Sequence, residues 1–362
     1  MLEALVPRYL SITVTDDEGL EKCSRFNRTI DSFSASDCKI FFEFKKVDLW
    51  RLLPLLNFPE ECILDNCSNM PGEEVFLRGL YELVSGETQH NISRNVFGRD
   101  WSAQSRAFKY FINHIYQNFK HLVNDNLQWW YRNGFFAASA EAIERKIGVD
   151  DHRNMIAYFI DCNCLETSRV GGGPAEDGCN SARWDPDIQR AYYNGWKHHN
   201  GLKHQTVDNA YGFTVDMYGP TSLRKNDLTL LRLSDINQRM ADVQAGREDQ
   251  YMTFGDSAYK RRSHITSYFA EYDELFARFN RRMKRVRISI EWNYGTTASL
   301  FKYVCCKRKL KVLQSTKVSK VYTVATILRN LHIALYGCQT SNYFELDIPD
   351  DFLEKYLRQE DF

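Results

Sequence analysis

The sequence predicts an α/β domain with an all-α, helix-turn-helix-like region in front of it. Three observations carry that expectation. The stretch Met155-Ile156-Ala157-Tyr158-Phe159-Ile160 is a continuous apolar run, as suits a strand buried on both faces. Strand-like and helix-like segments then succeed one another as far as residue 304, the order of a layered α/β domain. Ahead of them, residues 73–119 hold three helical patterns joined by short glycine-containing turns.

In chain order, residues 1–72 form an N-terminal region of unclear role, with a strand pattern at 39–44 and a short helix at 47–56 ended by Pro59. Over 73–84, Val75, Phe76, Leu80, Leu83 and Val84 fall near one helical face, and Gly86 is a stop. A second helix fits 89–97, ending at Gly98, and a third follows Ser102, a good N-cap. That third helix lines up Ala107, Phe108, Phe111, Ile112, Ile115 and Phe119 at three- and four-residue steps. Residues 122–148 continue as one or two helices with Trp129 and Trp130 inside, completing a helical unit over 73–150. In the α/β unit, residues 151–340, strands are expected at 155–160, 203–207, 213–217 and 251–254. Helices are expected at 228–240 and 283–304, the latter interrupted or bent at Gly295, and 170–174 is a loop without a phosphate-binding motif. Residues 341–362 read as a C-terminal tail.

Composition narrows the classes. No apolar run approaches the 18 or so residues of a membrane-spanning helix, and the N-terminus lacks a signal-peptide pattern, so no membrane association is expected. Ten cysteines are too sparse for a disulfide scaffold, and their spacing gives no paired Cys-x-x-Cys set, so reduced thiols in an intracellular protein are expected. The 47 basic and 47 acidic residues cancel, yet they are segregated. Residues 1–75 carry 14 acids and 8 bases, whereas 278–320 carry 13 bases and a single acid, Glu291. A polyanion senses that local charge and not the total.

Three acids stand where chemistry favours them. Asp161 and Asp256 each follow an expected strand, and ligand sites in open α/β sheets gather beyond strand C-termini. Glu291 lies within an expected helix. Hard divalent cations take oxygen ligands. Two of them about 3.5–4 Å apart activate a water and stabilise the leaving oxygen of a phosphodiester. Other readings compete: an Asp after a strand is often a turn former, and Glu291 is placed for a helical ion pair with Arg287, four residues before it. Asp216 is a rival ligand, also ending an expected strand, and Asp227 suits a loop-shaping role.

The pieces Phe159-Ile160-Asp161, Gly201-Leu202-Lys203-His204-Gln205-Thr206-Val207, Gly212-Phe213-Thr214-Val215-Asp216, Asn226-Asp227-Leu228, Gly255-Asp256-Ser257-Ala258-Tyr259 and the helix from Arg287 to Gly295 run through the same stretch. In them the chain resembles DDE superfamily endonucleases, specifically Harbinger-like transposases. Glu291 follows Asp256 by 35 positions, close to the family's separation. The resemblance extends over residues 73–337, and the segment with Val96-Phe97-Gly98-Arg99 looks like the helix-turn-helix that precedes the catalytic domain. It departs from the family where Cys162-Asn163 follow Asp161 in place of Gly-Thr, and in a longer stretch over 171–184.

What the resemblance implies is a ribonuclease-H-like mixed sheet whose first and fourth strands are neighbours. Asp161, Asp256 and Glu291 would then hold two divalent ions, Mg²⁺ or Mn²⁺, and cut DNA at transposon ends before joining 3′ ends to target DNA. Lys260, Arg261, Arg262, Arg285 and Arg287 would flank the cleft and hold phosphates, with Arg94, Arg99 and Arg106 on the helical unit. Further expectations are a separate DNA-binding partner protein, a homo-oligomer when active, and a nuclear location, for which Lys307-Arg308-Lys309-Leu310-Lys311 is a basic import-type cluster. The competing readings are a domesticated DNA-binding or scaffold protein that no longer cuts, and a nuclease of RNA or RNA–DNA hybrids.

Overall fold

A computed structural model describes residues 28–148, 155–169, 186–270, 272, 274–312 and 318–362. The expected loop at 170–174 and the stretch 171–184 lie outside the described residues. Among those described, no helix is long and apolar enough to cross a membrane.

The chain opens with helices α1 (Ala35–Phe42) and α2 (Lys46–Leu55), then a two-stranded ribbon, β1 (Glu61–Ile63) and β2 (Asn69–Pro71). The strand expected at 39–44 is thus a helix. Ser34 and Asp37 close a capping box at its start, and the buried pair Cys38 and Phe42 lies four apart while Ile40 faces solvent. Helix α3 (Gly72–Ser85) stops at Gly86, whose left-handed φ of 62° suits glycine. The second expected helix is α4 (Gln89–Ile92) running into a π turn over Ser93–Phe97. Helix α5 (Trp101–Phe119) is capped by Asp100 and not by Ser102, whose backbone N–H donates to the Asp100 carboxylate.

Residues 121–147 fold as three segments, α6 (His121–Asn124), α7 (Leu127–Arg132) and α8 (Phe135–Ile147), with Trp130 fully buried. Next come β3 (Met155–Glu166), α9 (Pro186–Tyr192), β4 (Tyr193–Asn194), β5 (His199–Asn209) and β6 (Thr214–Ser222). The expected helix at 228–240 is two, α10 (Asp227–Ser234) and α11 (Ile236–Val243), broken at Asp235 with φ 51°. Strands β7 (Tyr251–Phe254) and β8 (Ile265–Thr266) precede α12 (Glu274–Leu300), which begins earlier than expected and runs without interruption through Gly295. The chain ends with α13 (Val318–Tyr336), α14 (Gln339–Phe344) and α15 (Phe352–Arg358). The last two are core elements and no loose tail, since Phe352 stacks on Phe213 at 4.5 Å and Tyr356 is fully buried.

The principal sheet is mixed. β3 is central, antiparallel to β5 from Tyr158↔Asn209 to Glu166↔Gly201, and parallel to β7 from Met155↔Tyr251 to Phe159↔Phe254. β6 lies outside β5, antiparallel to it, and β8 lies outside β7, parallel to it. The first and fourth long strands are therefore hydrogen-bonded neighbours. β3 does not end at Asp161 as expected. The apolar run stops there, but β5 continues to offer backbone partners to Asp161, Cys162, Asn163 and beyond, so the ladder persists through polar residues. Helices α12 and α13 cover one face of the sheet, α10 and α11 the other, as shown by Asn293 bonding Asp208 on the first and Arg239 bonding Asp216 on the second. A single apolar core links Ile30, the helical unit, the sheet and Leu357.

Candidate active site

Alternation along β3 decides which side chains meet. Phe159 and Asp161 share one face, and Phe159 packs in an apolar cluster with Phe254 of β7 and Met283, Val286 and Ile290 of α12. That packing lays α12 across β3 and β7. Met283, Val286 and Ile290 recur at helical spacing on its inner side, Tyr294 packs against the same cluster, and Arg287 and Glu291 follow around the helix. Arg287 Nη1 donates to Asp161 Oδ2 at 3.0 Å and Nη2 donates to Glu291 Oε1 at 3.0 Å. Tyr294 Oη lies 2.7 Å from Oγ1 of Thr206, the residue paired with Asp161 on β5.

Asp256 stands two residues past the end of β7. Gly255 is needed there because a Cβ would come within 2.6 Å of the Tyr259 ring. Tyr259 in turn is buried, with its hydroxyl 3.3 Å from Cys162 Sγ. The Asp256 carboxylate accepts from the Ala258 N–H at 2.9 Å, and its backbone carbonyl accepts from the Tyr259 N–H at 3.1 Å, so a tight turn fixes it beside β3.

Electrostatics join the group. Burial raises the Asp161 carboxyl above the usual Asp range, and the negative charge of Asp256 adds to the rise. The Cys162 N–H, donating at 2.8 Å, and Arg287 oppose it. Burial works against the Arg287 charge as well, but Asp161 and the Tyr268 hydroxyl outweigh it, and the guanidinium holds its proton more firmly than usual. Asp161 keeps 20% of its side-chain surface, Arg287 16% and Glu291 54%, so the cluster opens to solvent on the Glu291 side.

Thus Asp161 and Glu291 each contact Arg287, and Asp256 is electrostatically coupled to Asp161. In kind, the donors are the hard carboxylate oxygens that Mg²⁺ and Mn²⁺ take. In geometry, no three acidic, histidine or cysteine side chains among the described residues converge closely enough to hold a metal ion. Between Asp161 and Glu291 lies the Arg287 guanidinium.

The remaining expected residues are dispersed. Asp216 is fully buried on the reverse face and paired with Arg239 at 2.5 Å, so it shares no cleft with Asp161. Asp227 accepts from Lys203 at 2.8 Å, also on the Cys162 face. Lys260, Arg262 and Arg285 are exposed, and Arg261 lies 3.6 Å over the Phe269 ring. On the helical unit Arg94 is exposed, Arg99 Nη2 donates to the buried Glu74 at 2.8 Å, and Arg106 donates to Ser102 at 2.9 Å. On α5, Trp101, Gln117 and Asn118 are exposed and Arg106 and Lys109 are half-buried. Sequence reasoning assigned Arg287 to phosphate binding and passed over Tyr294, Thr206 and Tyr259. The helical spacing of 287, 291 and 294 is the sequence signal for Arg287 and Tyr294.

Residues 177–330 match a family model described as DDE superfamily endonuclease. The match spans somewhat under half of the chain, takes in Asp256 and Glu291, and begins after Asp161. No curated protein and no solved structure matches the chain.

Proposed function

We propose that this protein is a metal-dependent DNA endonuclease of transposase type, with Asp161, Asp256 and Glu291 as its ligands for two divalent ions, Mg²⁺ or Mn²⁺. The observation that carries this reading is the placement of Asp161 on β3 and Asp256 just past its parallel neighbour β7, under the helix that brings Glu291 to the same face. The match of residues 177–330 to DDE superfamily endonucleases supports it. That superfamily uses divalent metal ions, which in such a site activate a water and stabilise the leaving oxygen of the phosphodiester.

The chain's own residues have separable tasks. Asp161, half-buried and held by the Cys162 N–H, is the rigid ligand; Asp256, fixed by its turn, is the second; Glu291, the most exposed, closes the site from the helix. Tyr294, anchored on Thr206, keeps that stretch of α12 seated on β5. Lys260, Arg262 and Arg285 are exposed cations that would hold backbone phosphates on either side of the cut without reading sequence. The sheet order supports a ribonuclease-H-like reading of the domain. A Harbinger-type substrate, transposon ends followed by joining to target DNA in the nucleus, is the finer form of the proposal.

The test is cleavage. Full-length protein with duplex DNA carrying the ends of its own genomic element should nick it in Mg²⁺ or Mn²⁺ and not in EDTA. Asp256→Ala should lower the rate by on the order of 10²–10³-fold while leaving the melting temperature nearly unchanged. Equal cleavage by Asp256→Ala would sink the assignment.

A further inference from the structure

We propose that Arg287 is an internal counter-ion that holds the carboxylate site closed, so that a divalent ion binds only by displacing its guanidinium; the proposal rests on the metal-binding reading of Asp161, Asp256 and Glu291. The claim concerns how the site is regulated.

The geometry is specific. Arg287 spends one terminal nitrogen on Asp161 and the other on Glu291, both at 3.0 Å, so the two acids are bridged by one planar cation. Such a fork is stiff and directional, which makes it an effective blocker of the space between two carboxylates. An ordinary surface ion pair between Arg287 and Glu291 would leave Asp161 out. Instead the more buried acid is the one gripped, and Arg287 itself is only 16% exposed. Leaving Asp161 without a cation in this setting is costly, because burial and the neighbouring Asp256 both disfavour its charge. The guanidinium supplies one positive charge against the two carboxylates it bridges, and Asp256 adds a third negative charge beside Asp161, so an ion of charge two can compete for the pair.

Arg287 also has somewhere to go. It faces the Tyr268 hydroxyl as well as the two acids, and Tyr268 lies in the segment between β8 and α12. Rotation of the arginine arm toward that side would free Asp161 Oδ2 and Glu291 Oε1 together, so that both acids could serve as ligands. Guanidinium and metal are then mutually exclusive occupants, and the affinity of the empty protein for metal is lowered by the work of moving the arm.

The experiment measures metal binding in the absence of DNA. Mn²⁺ is titrated into the full chain and the free ion followed by electron paramagnetic resonance, for the unaltered protein and for Arg287→Gln, Arg287→Lys and Asp161→Asn. Arg287→Gln should bind Mn²⁺ about tenfold tighter than the unaltered protein, Arg287→Lys should stay close to it, and Asp161→Asn should lose the binding. Equal or weaker binding by Arg287→Gln, with binding still lost in Asp161→Asn, overturns the counter-ion role and leaves the metal site standing. Absence of binding in every protein, or binding indifferent to Asp161→Asn, overturns the metal site and the counter-ion with it. Should Arg287→Gln fail to fold, the side-chain ¹⁵Nε resonance of Arg287 in the unaltered protein, assigned by its absence in Arg287→Lys, decides the matter. It should shift on saturation with Mg²⁺, and an unmoved resonance refutes displacement.

Discussion

Two carboxylates on one face of the sheet, Asp161 on β3 and Asp208 on β5, have opposite surroundings. Asp208 is 1% exposed; Thr214 Oγ1 donates to it at 2.7 Å and Asn293 Nδ2 at 2.9 Å. Beside it Arg329, also 1% exposed, donates to Thr214 and to Asn330, while Asn330 pairs with both the N–H and the carbonyl of Thr214. Burial raises the Asp208 carboxyl, and Arg329, Thr214 and Asn293 each pull it back. One acid is therefore linked through Thr214 to one arginine, inside a buried set of hydrogen bonds that ties α12 and α13 to the sheet. Around Asp161, two acids share one arginine beside an opening to solvent, and a third, Asp256, adds its negative charge to Asp161. Closure with balanced charge marks a structural pair, whereas an excess of one sign next to water marks a place for a missing counter-charge.

The comparison breaks most visibly at Arg329. Arg329→Met should cost about 3–5 kcal/mol, because Asp208 is left buried without its cation, and soluble folded protein should fall sharply in a urea or thermal melt. Arg287→Gln, at the open site, should move the same melt far less. If both substitutions cost alike, the distinction between sealed and open sites is wrong.

A buried acid on the reverse face, Asp216, gives a pH signature of intermediate size. Burial, opposed by Arg239, pushes the Asp216 carboxyl up to about 6 from 3.8. Its folded-state value is the higher one, so its contribution is fully present below pH 4, where both states are protonated. It is lost as the pH rises through 6, by at most about 3 kcal/mol. Asp216→Asn should flatten that part of the melting-temperature profile between pH 4 and 6. A profile of unchanged slope would show that Asp216 does not titrate there.

The smallest expected effect is at Tyr294. Tyr294→Phe removes the hydrogen bond to Thr206 and should cost about 1 kcal/mol in a denaturant melt, the scale of one intramolecular hydrogen bond. A loss near that of Arg329→Met would place Tyr294 among the sealed elements.

Much of this was legible from local pattern. Strand β7 falls on the residues expected for it, and α3 begins and ends within a residue of expectation, because apolar alternation and glycine stops are local signals. Strand β3 was found but cut short at Asp161, since the apolar run ends there and only the partner strand β5 carries the ladder on. Helix α1 has a strand-like pattern because its aromatic residues favour strands, while its capping box, Ser34 and Asp37, precedes residues 39–44.

By itself the sequence determined the alternation of strands and helices, the turn that fixes Asp256 and the helical stripe on which Arg287 and Glu291 stand. Those are properties of residues within a few positions of one another, where propensity and periodicity act. Which acids meet was decided only in three dimensions. Asp161, Asp208 and Asp216 all sit in strands, and the pleat sends the first two to one face and the third to the other. Which arginine reaches each carboxylate depends on how α11, α12 and α13 pack, and that is set by apolar contacts between residues more than a hundred positions apart.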